Sequence, residues 1–198
     1  PRPPDRARML DPGALAMVIG EARGWRPTVY LTGGEPLLHP EIARIIGEIK
    51  GAGLYCSLNT NGALLAERAG DLCASGVDKV IVSVEPSAGA QAANRGIPFS
   101  AIRAGLAALR ARKPRPEIAL NCVITPLNWR ELDGLPDAAA ALGVSNVTLQ
   151  HFMFSDRALI AAHRAFLADF GEPEACYGNT IMDAGEIDAA ALRKSLGG

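Results

Sequence analysis

The sequence predicts an α/β protein, a parallel sheet whose strands are joined by helices. Short β-branched runs alternate with longer Ala- and Leu-rich stretches of helical period, which is how βα units read. Glycines stand just past the helical stretches, at Gly51, Gly53, Gly76 and Gly143, where a left-handed residue commonly ends a helix. A chain of 198 residues with 48% hydrophobic side chains is also long enough to bury one substantial core without disulfides or structural metal.

The first element is a helix over 12–23. Asp11 is placed to accept from free amides of its first turn, and Pro12 has no amide to leave unpaired there. No strand precedes this helix. Five βα units follow, with strands over 28–32, 54–59, 79–84, 117–124 and 146–150 and helices over 40–50, 63–75, 99–112, 129–142 and 156–170. The stretch 113–116 reads as a stiff loop. Residues 171–198 read as an irregular tail ending in a short helix over 186–196, and 1–11 as a flexible N-terminal segment, so the barrel-like unit is expected over 12–170. Five strands are too few to close an eight-stranded barrel of about 250 residues. A partial barrel is therefore expected.

Twenty-one acidic side chains against twenty basic ones leave a formal charge of -1. No excess of positive charge is available to displace counterions, so neither nucleic acid nor an anionic membrane surface is an expected partner. Apolar runs such as 80–84 and 138–142 fall far short of the roughly 20 residues that cross a bilayer. The Pro- and Arg-rich start lacks the apolar region of a signal peptide, and a cytoplasmic setting is expected. The chain opens on Pro rather than Met, which suggests a fragment or a processed start. Cys56, Cys73, Cys122 and Cys176 lie singly and far apart, a spacing that suits buried thiols better than a disulfide framework.

In parallel α/β folds ligands collect at the carboxyl ends of strands, so the segments just after each run carry the functional expectation. The first is Thr32-Gly33-Gly34-Glu35-Pro36. Its glycines let backbone approach a ligand closely, Glu35 offers a carboxylate to a cation, and Pro36 stiffens the loop. On its own this segment also reads as a turn with a capping acid.

Three motifs stand at successive strand ends: Leu31-Thr32-Gly33-Gly34-Glu35-Pro36-Leu37-Leu38-His39-Pro40, Ser57-Leu58-Asn59-Thr60-Asn61-Gly62 and Val80-Ile81-Val82-Ser83-Val84-Glu85. In this order and at βα spacing they resemble the radical S-adenosylmethionine (radical SAM) superfamily, over residues 12 to about 154. The resemblance implies a partial (βα)6 TIM-like barrel with its first strand and cluster loop missing. It implies S-adenosylmethionine (SAM) and a [4Fe-4S] cluster as cofactors, reductive cleavage of SAM to a 5'-deoxyadenosyl radical, hydrogen abstraction from an unknown substrate, and an external electron donor. The cofactor supplies the radical step and the protein supplies placement and exclusion of water.

Carried over by position, Gly33, Gly34 and Glu35 would receive the methionine ammonium, with Pro36 shaping the loop. Thr60 and Asn61 would lie near SAM, and Ser83 and Glu85 match positions that contact its ribose or carboxylate. Strand-end polar residues that merely satisfy loop backbone are the alternative for each. Glu85-Pro86 replaces the family's Asp-Gly pair, and Asn94-Arg95-Gly96 follows. Arg95 would clamp the methionine carboxylate, unless it is a solvated loop arginine. Asn121, and Asn128 at the end of Thr125-Pro126-Leu127-Asn128, resemble the stretch flanking the adenine and substrate side. His151 would meet substrate or SAM, or be structural, while His39 and His163 read as loop and helix-surface residues. Phe152, Met153 and Phe154 read as core packing.

The family's Cys-x3-Cys-x2-Cys cluster loop occurs nowhere in the 198 residues, and four scattered cysteines do not converge three thiolates on one loop. The expectation is a domain that begins just after its cluster loop and is inactive alone, the activity belonging to the complete protein. The alternative is a degenerate or truncated domain that binds SAM or a partner protein without catalysis. An ordinary barrel lyase would need a Schiff-base lysine at a strand end, and Lys79 begins its strand.

Overall fold

The structure, a computed structural model, describes residues 9–151 together with Ala191. The expected helices over 156–170 and 186–196, most of the terminal segments, the 152–154 stretch, His163 and Cys176 lie outside the described residues, apart from the helical Ala191.

The elements are α1 (Pro12–Ala22), β1 (Thr28–Leu31), α2 (Ile42–Gly51), β2 (Tyr55–Thr60), α3 (Leu65–Ser75), β3 (Lys79–Ser83), α4 (Ala88–Arg95), α5 (Phe99–Arg110), β4 (Glu117–Ile124), α6 (Leu135–Leu142) and β5 (Val147–His151). The five strands form one sheet in chain order, every neighbouring pair parallel. The α/β class and the strand positions agree with expectation. Asp11 caps α1 through bonds from the Gly13 and Ala14 amides at 3.2 and 3.1 Å.

Two elements differ. α4 falls in an Ala-rich stretch, AGAQAANR, that carries no large apolar side chain, so no run of core-forming residues announced it. Its boundaries are set locally, by Ser87 accepting from the Ala90 amide at 3.1 Å and by Gly96 past its last turn. The expected helix over 129–142 is a 3-10 turn at Trp129–Gly134 followed by α6. Pro136 sits in the first turn of α6, where its missing amide costs no hydrogen bond but where a continuous helix would have needed one.

Strand register sorts side chains into two faces. Leu58, Val80, Val82, Leu120, Cys122 and Ile124 make one face and are buried with Ile45, Ile46 and Ile49 of α2 and Ile102, Leu106 and Leu109 of α5. The opposite face holds Tyr30, Ser57, Asn59, Ile81, Ser83, Asn121, Val123 and Gln150, placed together by the pairs Tyr30↔Ser57, Asn59↔Ile81, Ser83↔Asn121 and Val123↔Gln150. This second face is polar and carries Tyr30 48% exposed. The amino ends of β2 and β3 are clasped by Lys50, whose Nζ donates to Asp78 and to the Leu54 carbonyl, while Asp78 also accepts from the Cys56 amide.

α3 and α5 pack so closely that a Cβ on Gly105 would lie 2.7 Å from Leu65 Cβ, whereas one on Gly47 in α2 would meet nothing within 4 Å. The same substitution therefore has opposite signs. Gly105→Ala should lower stability by about 1–3 kcal/mol through overpacking, and Gly47→Ala should raise it by about 0.5–1 kcal/mol by restricting the unfolded chain. Urea unfolding of the two variants checks this, and equal signs would contradict the packing described.

Candidate functional site

β1 delivers Gly33 and Gly34 to the carboxyl rim of the sheet. Gly33 has φ +147°, a conformation L side chains rarely adopt, and a Cβ at either glycine would meet no heavy atom within 4 Å. The backbone here lies bare beside open volume. Pro36 and Glu35 start a 3-10 turn, Pro36–Leu38.

Glu35 is tied into the fold. Its Oε1 accepts from the Leu37 amide at 3.0 Å and from Thr60 Oγ1 at 2.7 Å, and its Oε2 accepts from the Asn61 amide at 2.7 Å. A carboxylate has about four acceptor positions, so one remains on Oε2. Thr60, 2% exposed, also accepts from the Gly62 amide at 3.0 Å. Asn61 Oδ1 accepts from the Ala63 amide at 2.9 Å. Gly62 has φ +85°, and a Cβ there would lie 3.2 Å from Val82 and Ile102, so the turn after β2 admits no side chain. The capping role left open for Glu35 is thus present, and with it a bridge from the glycine loop to β2 that spacing alone did not reveal.

The second group gathers around Glu85, 4% exposed. Arg95 Nε donates to its Oε1 at 2.8 Å and Asn128 Nδ2 to its Oε2 at 2.6 Å, while its own amide donates to Gln91 Oε1 at 2.8 Å. Asn128, 1% exposed, also donates to the Val123 carbonyl and accepts from the Thr125 amide, each at 2.8 Å. This network locks the ends of β3 and β4 to α4. Arg95 is therefore held by a carboxylate, not a solvated loop arginine. Gln91 was missed because α4 was missed.

Ser83 and Asn121 are register partners. Ser83 Oγ donates to Asn59 Oδ1 at 3.1 Å, and Asn121 Nδ2 donates to Gln150 Oε1 at 3.0 Å. Asn59 and Gln150 were legible as strand-end residues, but only the register places them in the polar row. His151 pairs in register with Ile124 at the end of β5. His39 stays a loop residue: Nδ1 accepts from the Glu41 amide at 3.1 Å, which leaves Nε2 to donate to the Leu10 carbonyl at 3.0 Å.

Among the described residues no three His, Cys, Asp or Glu side chains converge for a metal. Cys56, Cys73 and Cys122 are free and buried. Burial, helped by Asp78 for Cys56 and by Glu85 for Cys122, pushes both of these thiols from 9.0 up to about 12, and burial raises Cys73 as well. Protonated thiols scattered through the helix-side core do not fit a [4Fe-4S] cluster, which needs cysteine thiolates that converge on one place.

An in-order parallel sheet with helices on one face and a glycine-led polar rim defines a βα-barrel type of enzyme domain. The chain belongs to the radical SAM superfamily, whose family model matches residues 1–138. It is 31% identical over 130 residues to a PqqA peptide cyclase of Streptomyces rochei, covering 64% of this chain and 35% of that protein. It is 34% identical over 154 residues to a probable GTP 3',8-cyclase of Sulfurisphaera tokodaii, covering 71% and 46%. The chain thus spans between about a third and a half of the length of these curated relatives. Streptococcus suis SuiB bound to its precursor peptide SuiA superposes with TM-score 0.63 at 13% identity, over 84% of this chain and 40% of that one. AnSMEcpe with bound AdoMet gives 0.59 at 16%, over 87% and 54%. These superpositions establish the fold.

Two tests follow from the buried groups. Arg95→Met should cost about 3 kcal/mol because it leaves the Glu85 charge buried and unpaired, and adding Glu85→Gln should recover part of that loss; a double variant as weak as the sum of the singles would refute the pairing. The thiols set a pH dependence. Unfolded thiols ionise above 9.0 while folded Cys56 and Cys122 stay protonated to about 12, so their contribution is complete below pH 9.0 and declines as pH rises across that window. The slope should be about 1.4 kcal/mol per pH unit for each thiol. Denaturation midpoints of the wild type and of a Cys56→Ala, Cys122→Ala double variant, followed from neutral pH upward, should diverge in slope.

Proposed function

We propose that this chain forms the S-adenosylmethionine-binding part of a radical SAM enzyme. The observation that carries the reading is the Gly33–Gly34 backbone, bare at the rim, beside a carboxylate that three in-chain donors hold in place with one acceptor position left. Carbonyls and a carboxylate are the acceptors a methionine ammonium requires. Thr60 and Asn61 position Glu35. Glu85 holds Arg95 through Nε, which leaves the Nη edge of the guanidinium to meet the methionine carboxylate. Ser83 and Asn121 line the adjoining row toward ribose and substrate, with His151 at the end of β5.

S-adenosylmethionine held there would supply the radical chemistry of the superfamily, with Gly33, Gly34, Glu35 and Arg95 holding its methionine end. The described residues do not fit a [4Fe-4S] cluster and the 198 residues hold no Cys-x3-Cys-x2-Cys, so catalysis would require thiolates from other polypeptide and an external one-electron donor. Three unpaired buried thiols support a reducing, cytoplasmic compartment. The absent cluster motif favours a second reading, a domain that binds SAM or a partner protein without catalysis. An iron count on the reconstituted full-length protein separates the two.

Calorimetric titration of SAM into the full-length protein tests the binding assignment. Glu35→Gln removes the charge facing the ammonium, an interaction of about 1.5–3 kcal/mol, so affinity should fall about ten- to hundredfold. It also sets an amide against the Asn61 amide and should lower the melting temperature. Thr60→Val loosens the anchor while keeping the carboxylate, and should lower the melting temperature with a smaller loss of affinity. Unchanged affinity in Glu35→Gln would reduce Glu35 to a loop anchor.

A further inference from the structure

The grip on Glu85 comes from one helix. β3 pairs as far as Ser83, and the Val84 amide still donates to the Asn121 carbonyl at 2.9 Å. Glu85 has left the ladder. Its buried amide therefore needs an acceptor from elsewhere, and Gln91 Oε1 supplies it at 2.8 Å. One turn further along α4, Arg95 Nε donates to the carboxylate of the same residue at 2.8 Å. Gln91 thus sets the direction in which the main chain leaves β3, and Arg95 follows the side chain that this direction aims.

Stability is a poor account of Gln91. It is 0% exposed, and with Oε1 turned to the Glu85 amide its Nε2 is buried without an acceptor among the described residues. An orphaned donor destabilises a core, and an apolar side chain of the same length would avoid it. What such a side chain could not do is hold the Glu85 amide. Arg95 shows why that hold matters. Its side chain is 22% exposed and, among the described residues, is bonded through Nε alone, so its Nη edge points wherever the Glu85 carboxylate orients the guanidinium plane.

We propose that Gln91 is a positioning residue for recognition of the methionine carboxylate of SAM, acting through Glu85 on Arg95. This deepens the SAM-domain reading and rests on its assignment of Arg95 to that carboxylate. The test is calorimetry on the full-length protein with two ligands, SAM and its decarboxylated analogue, which keeps the ammonium, sulfonium and adenosine but has no carboxylate. Gln91→Met should weaken SAM about fivefold, an ordinary loss for one hydrogen bond, and leave the affinity for the analogue unchanged. Gln91→Asn, too short to reach the Glu85 amide, should do the same and takes the place of Gln91→Met if that variant does not fold. Ala92→Gly, exposed on the same helix, loosens α4 without removing the bond to Glu85. It should lower the melting temperature and leave both affinities as they are. Equal losses for the two ligands in the Gln91 variants, no loss for either, or a loss for SAM in Ala92→Gly as large as in Gln91→Met would each overturn the proposal. Wild-type titrations separate the failures: a protein that binds SAM no better than the analogue refutes the assignment of Arg95, and one that binds neither refutes the SAM-domain reading itself.

Discussion

The rest of the structure depends on one constraint, that five strands pair in parallel and in chain order. Each connection must cross back to the start of the next strand, and crossovers of a single hand put every helix on the same side. Burial is therefore one-sided. Leu58, Val80, Val82 and Leu120 meet the helices, and the alternate residues are released from the core and free to be polar. The strand ends converge on one rim for the same reason, so residues far apart in sequence, such as Glu35 and Thr60 or Glu85 and Asn128, come within bonding distance without any specific folding device.

At that rim the fold tolerates buried or half-buried charge only where it is answered. Glu85 has an ion-pair partner and an amide donor, Glu35 has three neutral donors, and both bridge consecutive strand ends. Taking a carboxylate out of water is costly unless its oxygens are filled, so each acid orders the loops that supply its donors. The loops are then rigid before any ligand arrives, which lowers the entropy lost on binding.

Much of this was legible in the sequence because it follows from short-range rules. β-branched runs located the strands, glycines located helix ends, and Asp11 and Pro12 located the start of α1. The motif segments at 31–40, 57–62 and 80–85 marked the rim. What stayed hidden depended on long-range contact. α4 has no large apolar residue to betray it, and with it went Gln91. Pro136 stands in the first turn of α6, a break that the apolar run around it conceals. The engagement of Arg95 by Glu85, and of Glu35 by Thr60, needs the register, which no local pattern encodes.

β1 is four residues long and, among the described residues, pairs only with β2, so its other edge presents backbone donors and acceptors outward. Met17 of α1 and Trp25, which precede β1 in the chain, are 69% and 87% exposed. An unpaired strand edge is a template for adding another strand from any source, its own kind included. Nothing on β1 discourages this beyond brevity: Thr28, Val29, Tyr30 and Leu31 carry no charge and no proline. Association through the described sheet would therefore begin at its margin, far from the chemistry of the rim, and a formal charge of -1 offers little repulsion between copies to oppose it.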